Sequence, residues 1–203
     1  LDTRTTGTIN AASVTALSGT AAVVAASYAA AGITGLGSSA VTLSDTSLAA
    51  TSLNALDAAT TGTVNGSSVT TLTGTASAVA ASYASAGITG LGNEYVVLSG
   101  TTATAGELNA INTGTTGTVD MSAILTVSGA LGDLFTAYTT AGFGGRGNEA
   151  LTLTDTSVAA LSLNSLDSRT TGAINAASVT ALSGTASVVA TSYASAGITG
   201  LGS

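Results

Sequence analysis

The chain has 203 residues, of which 40 are Ala, 38 Thr, 26 Ser and 26 Gly, and only 6% are charged, against about 25% in an average soluble domain. It contains three Arg and no Lys, His, Cys, Pro or Trp, and its net charge is −7. This composition excludes a Ser-His-Asp triad, a thiolate nucleophile, a Schiff-base lysine, a zinc site of the usual kind and a basic nucleic-acid surface.

The apolar fraction of 45% consists mostly of Ala, which is too weakly hydrophobic to indicate a membrane protein. In the richest stretch, Ala21 to Leu36, polar residues and Gly interrupt the apolar run, whereas a spanning helix needs about 20 strongly apolar residues. We therefore expect no membrane insertion in this segment.

A 55-residue repeat is the strongest signal in the sequence. LDTRTTGTIN at the start recurs as LDAATTGTVN, INTGTTGTVD and LDSRTTGAIN, beginning at Leu56, Ile111 and Leu166. Self-similarity at a fixed period is typical of repeat architectures. We expect a single repeat array over 1–203, with repeats 1–55, 56–110 and 111–165 and a partial repeat 166–203, taken from a longer protein.

The first part of each repeat predicts a strand followed by a helix. In repeat one the strand contains Val14 and Leu17, and Thr20 is a suitable N-cap for an Ala-rich helix. Gly32 stands where a C′ glycine in the left-handed conformation is expected. The same columns recur in the later repeats, with the caps at Thr75 and Thr185 and the glycines at Gly87, Gly142 and Gly197.

The second part of each repeat also predicts a strand followed by a helix, since VTLSDTSLAA from Val41 aligns with TTLTGTASAV from Thr70. It predicts a strand through Leu43, an N-cap at Asp45 or Thr46, and a helix that stops at Gly62. The offset divides each 55-residue repeat into a 26-residue and a 29-residue half-repeat, each of them a strand and a helix.

No half-repeat could bury its apolar residues alone, whereas stacked units could. Right-handed crossovers between parallel strands would keep the helices on one face of the array. The predicted fold is therefore an α/β solenoid of tandem 55-residue repeats. An all-β parallel solenoid is the alternative.

Two glutamates are weak calcium candidates. GGRGNEALT resembles the calcium-binding nonapeptide G-G-x-G-x-D-x-U-x, with Glu149 in the Asp position. Glu94 occupies the same column in TGLGNEYVV, and Ser39 replaces it in repeat one. Since the motif returns only once in each repeat, a structural turn is the competing interpretation. We expect no catalytic residue and no cofactor.

The remaining polar residues form columns for which we predict structural roles. Asp45 and Asp155 are expected to cap helices, and Asp2, Asp57 and Asp167 to bond local amides. Two amide columns are expected to bond the backbone of the next unit. These columns are Asn10, Asn65 and Asn175 with Asp120, and Asn54, Asn109 and Asn164.

Two surface features suggest binding. Repeat three departs most from the others, so a specific ligand surface is most readily sought there; its unusual residues are Met121, Asp133, Phe135, Phe143 and Arg146. Outward strand threonines could form hydroxyl ladders, which suggests ice binding; examples are Thr42, Thr71, Thr73 and Thr152.

Strings such as VTLSDTSLAATSLNALDAATTGTVN and SSVTTLTGTASAVAASYASAGITGLGNE resemble the tandem repeats of giant cell-surface proteins of marine cyanobacteria, which include a protein required for swimming motility. The resemblance covers essentially the whole chain, and repeat three fits least well. It implies a non-enzymatic, very long repeat protein on the outside of the cell.

We therefore expect a structural segment that forms a rod, fibre or surface layer in motility or attachment. The expected partners are other copies of the chain, other cell-surface components or polysaccharide, with no nucleic acid. Two alternatives remain open, an adhesin module that binds polysaccharide or calcium and an ice-binding solenoid.

Overall fold

A computed structural model describes residues 4–202, so Asp2 and its expected local bonds lie outside the described residues. The chain divides into two compact units. Unit 1 contains residues 1–97 and 114–117, and unit 2 contains residues 98–113 and 118–203.

Short strands and helices alternate along unit 1. They are β1 (Ile9–Asn10), β2 (Ala16–Gly19), α1 (Ala21–Ala29), β3 (Ile33–Thr34), β4 (Ala40–Leu43), β5 (Ser47–Ala49), α2 (Ala50–Ala59), β6 (Val64–Asn65), β7 (Thr71–Gly74), α3 (Ala76–Ala84), β8 (Ile88–Thr89) and β9 (Tyr95–Leu98), whose last residue belongs to unit 2.

Unit 2 continues the same alternation. Its elements are β10 (Thr102–Thr104), α4 (Ala105–Gly114), β11 (Val119–Asp120), β12 (Thr126–Gly129), α5 (Leu131–Thr139), β13 (Phe143–Gly144), β14 (Ala150–Leu153), β15 (Ser157–Ala159), α6 (Ala160–Asp167), β16 (Ile174–Asn175), β17 (Ala181–Ser183), α7 (Ala186–Ala194) and β18 (Ile198–Thr199), with the last residue of α4 in unit 1.

Parallel pairing joins strands of neighbouring strand-helix segments. In unit 1, β2, β4, β6 and β8 form one sheet, in which Val41 pairs with Leu17 on one side and with Val64 on the other. In unit 2 the sheet order is β10-β12-β14-β16-β18, and Leu151 pairs with Val127 and Ile174. The protein is therefore α/β with parallel sheets, which excludes the all-β alternative.

The helices begin at positions 21, 50, 76, 105, 131, 160 and 186, so a longer and a shorter spacing alternate along the chain. In unit 1, three strands lie between α1 and α2 and only two between α2 and α3. The additional strand, β5, starts a new row of pairs with β7. A third short strand thus accounts for the longer spacing.

The core consists of strand and helix residues at repeated positions. In unit 1, Leu53 and Leu56 of α2 and Leu72 of β7 are at most 1% exposed, as are Leu108 and Ile111 of α4 in unit 2. Burying one such side chain contributes about 1.5–3 kcal/mol. None of the helices among the described residues is long and apolar enough to cross a membrane.

The predicted N-caps on α1 and α3 are correct, whereas the predicted glycine C-caps are not. Thr20 and Thr75 occupy the N-cap positions and accept hydrogen bonds from Val23 N and Ala78 N. The helices instead end in extended residues, and Gly142 alone of the four predicted C′ glycines has a positive φ. A Cβ on Gly142 would overlap Asn112 Oδ1, so this glycine leaves room for the Asn112 side chain.

Candidate functional site

The two calcium candidates are buried carboxylates with hydrogen-bond donors around them. Glu94 is 0% exposed and lies in the turn that leads into β9. Gly92 N donates to both of its carboxylate oxygens at 2.9 Å, and the Tyr83 hydroxyl donates to Oε2 at 2.9 Å. Thr115 Oγ1 donates to the Glu94 carbonyl at 2.9 Å, so the residue is bonded through its side chain and its backbone.

Unit 2 contains the equivalent arrangement around Glu149, which is 1% exposed. The Tyr138 hydroxyl donates to Glu149 Oε2 at 2.6 Å, and Gly147 N donates to the same oxygen at 2.9 Å. Glu149 Oε1 is buried without a hydrogen-bond partner among the described residues. Because an unpartnered buried polar atom costs about 1–3 kcal/mol, this Glu149 arrangement is less well satisfied than that of Glu94.

Repeat one uses a hydroxyl where the later repeats use a carboxylate. Ser39 is 0% exposed, and its Oγ donates to Val14 O at 2.6 Å. Tyr28 donates to the Ser39 carbonyl at 3.3 Å. The position therefore tolerates different polar groups, provided that each is hydrogen-bonded inside the protein.

The phenols of Tyr83 and Tyr138 are held in the protonated form. Burial raises the pKa of each phenol above its ordinary value of 10.0, and the hydrogen bond to the glutamate and the negative charge of that carboxylate raise the pKa further. Arg146 acts in the opposite direction on Tyr138, more weakly. Both phenols are thus hydrogen-bond donors, the protonation state that stabilises a buried carboxylate.

Arg146 binds the end of a helix. Its Nη1 donates to Ala137 O at 2.5 Å and to Thr140 O at 2.7 Å, and its guanidinium lies 5.6 Å from the ring centre of Phe143. A cation at a helix C-terminus satisfies free carbonyls and interacts favourably with the helix dipole. Arg146 thus caps a helix at a position where the other repeats have Leu36, Leu91 and Leu201.

The calcium hypothesis remains a prediction. Calcium takes six to eight oxygen ligands, whereas the hydrogen-bond partners of the Glu94 and Glu149 carboxylates are N–H and O–H donors. Among residues 4–202, no group of three or more His, Cys, Asp or Glu side chains is placed to hold a metal ion.

Asp45 and Asp155 do cap helices, but not the helices that follow them. Asp45 Oδ2 accepts a hydrogen bond from Ala21 N at 2.7 Å, and Asp155 Oδ2 accepts one from Leu131 N at 2.6 Å. Each carboxylate therefore caps a helix that begins 24 residues earlier in the sequence. The predicted cap on α2 is wrong, because its N-cap residue is Ala49, which makes no side-chain cap bond.

Asp57 and Asp167 are also wrongly predicted to bond local amides. Ser85 Oγ donates to Asp57 Oδ2 at 2.6 Å, and Ser195 Oγ donates to Asp167 Oδ2 at 2.6 Å. Each serine lies 28 residues after its aspartate. These bonds place both acids in contacts between successive helical segments of one unit.

The two amide columns behave differently. Asn54 Nδ2 donates to Ala78 O at 2.9 Å, so this column bonds the backbone of the next element as predicted. In the other column the side-chain Oδ1 accepts from the backbone N–H two residues later, which makes a local Asx turn, also at Asp120. The prediction of bonds to the next unit is therefore wrong for Asn10, Asn65 and Asn175.

The predicted hydroxyl ladders are chemically mixed. Thr42 pairs with Ser18 and Asn65, and Thr152 pairs with Ser128 and Asn175. Thr73 Oγ1 donates to Leu48 O at 3.5 Å, which directs that hydroxyl hydrogen toward the sheet. Ice binding stays a prediction.

The unusual residues of repeat three are dispersed. Met121 is 1% exposed and belongs to the core, whereas Phe135 lines an open cleft between α5 and α6. Leu161, which is 67% exposed, also lines this cleft. Comparing it with Thr51 in the repeat alignment could have identified it. Comparisons of the chain with protein-family models, curated proteins and solved structures found no match.

Proposed function

We propose that the chain is a non-enzymatic structural segment of a very large extracellular or cell-surface protein. In this proposal its 55-residue repeats form an α/β solenoid within a rod, fibre or surface layer that serves motility or attachment. The resemblance to cyanobacterial surface proteins supports the proposed location. The bonding between successive elements supports the structural role.

The asparagine column carries the proposal. Asn54, Asn109 and Asn164 each donate through Nδ2 to a backbone carbonyl 24 residues later, at 2.9, 3.0 and 3.1 Å. At two of these positions Oδ1 also accepts from a serine hydroxyl at 2.7 Å. The same connection thus recurs three times at the sequence period. An array held by bonds between neighbours can be lengthened by adding repeats.

Backbone pairing between strands also supports a structural role for the repeats. The strands of one strand-helix segment pair with strands of the segments before and after it, so a single segment satisfies neither its backbone groups nor its apolar face. Stability in such arrays is a sum of intrinsic repeat terms and neighbour terms. The function then depends on length and mechanical continuity and not on a single pocket.

Proteins with different numbers of repeats test the proposal. We expect the 55-residue fragment 56–110 to be largely unfolded, residues 1–110 to be partly stabilised, and the full chain to have the highest midpoint in urea. In optical tweezers the full chain should unfold in several steps. A 55-residue fragment as stable as the full chain would overturn the array, because its repeats would then be independent domains.

The variant Asn54→Ala, Asn109→Ala, Asn164→Ala removes the three connections while leaving the apolar core intact. It should lower the urea midpoint and the unfolding force. The matched control Asn10→Ala, Asn65→Ala, Asn175→Ala removes local turns only, so its effect on unfolding force should be smaller.

A further inference from the structure

A cleft between α5 and α6 in unit 2 has an apolar floor. It encloses about 460 Å³ and is lined by Leu131, Phe135, Val158 and Leu161. This volume lies within the range of small-molecule sites, about 300–1,000 Å³. The guanidinium of Arg169 lies 5.3 Å from the centre of the Phe135 ring, a cation–π contact that helps to orient the ring.

Unit 1 has a cleft at the equivalent positions two repeats earlier, and it is smaller and lined mainly by alanine. It encloses about 280 Å³ between α1 and α2. Ala25 occupies the position of Phe135, and Thr51 occupies that of Leu161. Repeat three therefore has two large apolar side chains at positions where the other repeats have Ala in the first case and Thr or Gly in the second.

Exposed apolar side chains that converge on one cleft indicate a binding surface more than isolated ones do. Leu161 is 67% exposed, so its size adds nothing to the core. Phe135 is only half-buried, although α5 already contributes Leu131 and Leu134 to the interior. The two substitutions enlarge the apolar surface of the cleft without a matching gain in packing.

The polar groups of the cleft define the chemistry of its occupant. Ser157 and Ser162 line it, and their hydroxyls bond to no other described residue. Asp155 lines it as well and uses Oδ2 to cap α5. The lining contains a carboxylate but neither Lys nor Arg among the described residues. The carboxylate in the lining disfavours an anionic ligand, and Arg169, which contacts the Phe135 ring, is not among the lining residues.

A pyranose ring has an apolar C–H face and a rim of hydroxyl groups, which matches an apolar floor flanked by hydroxyls and a carboxylate. A purely apolar peptide could bond these polar groups only through its backbone N–H and C=O groups, whereas each sugar ring offers several hydroxyls. We propose that the α5–α6 cleft binds a short stretch of neutral polysaccharide. Phe135 and Leu161 contact the sugar faces, and Ser157, Ser162 and Asp155 bond the sugar hydroxyls. The proposal does not depend on the structural role of the repeats.

Nuclear magnetic resonance titration of the full chain with cellotriose, maltotriose and triacetylchitotriose tests the site. At least one of these sugars should shift the Phe135 ring and Leu161 methyl signals saturably. The variant Phe135→Ala, Leu161→Thr restores the residues of unit 1 and should weaken binding by about tenfold or more, which corresponds to about 1.4 kcal/mol. Its urea midpoint should stay close to that of the parent, which separates loss of binding from loss of the array.

The reverse graft is the matched control. Ala25→Phe with Thr51→Leu in unit 1 should add a second set of saturable shifts. Three outcomes would overturn the proposal: no saturable shift with any of the three sugars at tens of millimolar, unchanged affinity in the Phe135→Ala, Leu161→Thr variant, or binding of an apolar peptide or anionic oligosaccharide at this cleft in place of the neutral sugars.

Discussion

Asp45 Oδ2 accepts a 2.7 Å hydrogen bond from the backbone N–H of Ala21, although the two residues are 24 positions apart. The first turn of a helix has free N–H groups that most proteins satisfy with a neighbouring residue. Here one of these groups is satisfied by the next strand-helix segment. The bond that caps α1 is therefore also a contact between two successive strand-helix segments.

Replacing Asp45 with Ala should destabilise unit 1 by about 1 kcal/mol, the typical cost of losing an N-cap. Asp45→Asn keeps an acceptor oxygen and should retain most of this stability. Urea denaturation followed by circular dichroism provides the measurement, with Asp155→Ala as the equivalent change in unit 2. Equal stability of the parent and Asp45→Ala would contradict the role of this bond.

The Tyr138 hydroxyl should contribute more to stability than the Tyr28 hydroxyl. Tyr138→Phe removes the 2.6 Å donor to a buried carboxylate oxygen that then keeps only the Gly147 N–H, and a hydrogen bond to a charged group contributes about 1.5–3 kcal/mol. Tyr28→Phe removes only a 3.3 Å bond to the Ser39 carbonyl and should have a smaller effect. Glu149→Gln in the Tyr138→Phe background would measure the coupling between the two side chains, and additive effects would argue against it.

Stability should decrease at alkaline pH because of Tyr83 and Tyr138. Both phenols have a pKa raised above 10.0 in the folded protein. Above about pH 10 the unfolded chain releases these protons while the folded chain retains them, so the unfolded state is favoured as pH rises. Urea midpoints measured between about pH 8 and pH 11 should show this decline. The Tyr83→Phe, Tyr138→Phe variant should show a shallower slope, and an unchanged slope would refute the assignment.

Three glycine-to-alanine changes should affect stability differently. A Cβ on Gly172 would overlap the Glu149 backbone, whereas one on Gly197 would meet the movable Asp167 side chain. Gly172→Ala should therefore be the more destabilising of the two. Gly106 in α4 has open space at the Cβ position, so Gly106→Ala should stabilise the chain by about 0.5–1 kcal/mol. Thermal unfolding of the three variants would rank them.

The double variant Gly197→Ala, Asp167→Ala is the control for the side-chain overlap. The stability of this double variant should be closer to that of Asp167→Ala than the sum of the two single-variant effects predicts. Strict additivity would mean that Asp167 does not restrict the space at Gly197.

Trypsin should cleave the folded chain slowly at Arg146. This side chain is held by two carbonyls at the end of α5, and Gly147 N is bonded to Glu149. Cleavage there requires local unfolding, because a protease binds its substrate in an extended form. Arg4 is exposed and should be cut first. Mass spectrometry of a native time course would reveal the order, and early release of residues 147–203 would contradict this prediction.

Local patterns predicted much of the fold. Alternation of strand and helix signals, the cap residues Thr20 and Thr75, and the strand through Leu43 follow from the spacing of nearby residues. The additional strand β5 was not predicted, because three residues carry too weak a pattern to separate from the helix that follows. The prediction that glycines cap the C-terminal ends of the helices was also wrong, because Gly142 and Gly197 instead leave space for the side chains of Asn112 and Asp167.

The sequence by itself determined the period, the columns of small residues, and the exclusion of chemistry that requires His, Cys or Lys. The tertiary structure alone decided which polar groups meet. Asp45 with Ala21, Asp57 with Ser85 and Glu149 with Tyr138 are pairs separated by 24, 28 and 11 residues. The physical reason is that such bonds depend on which distant segments the fold brings into contact, and local propensities do not specify those contacts.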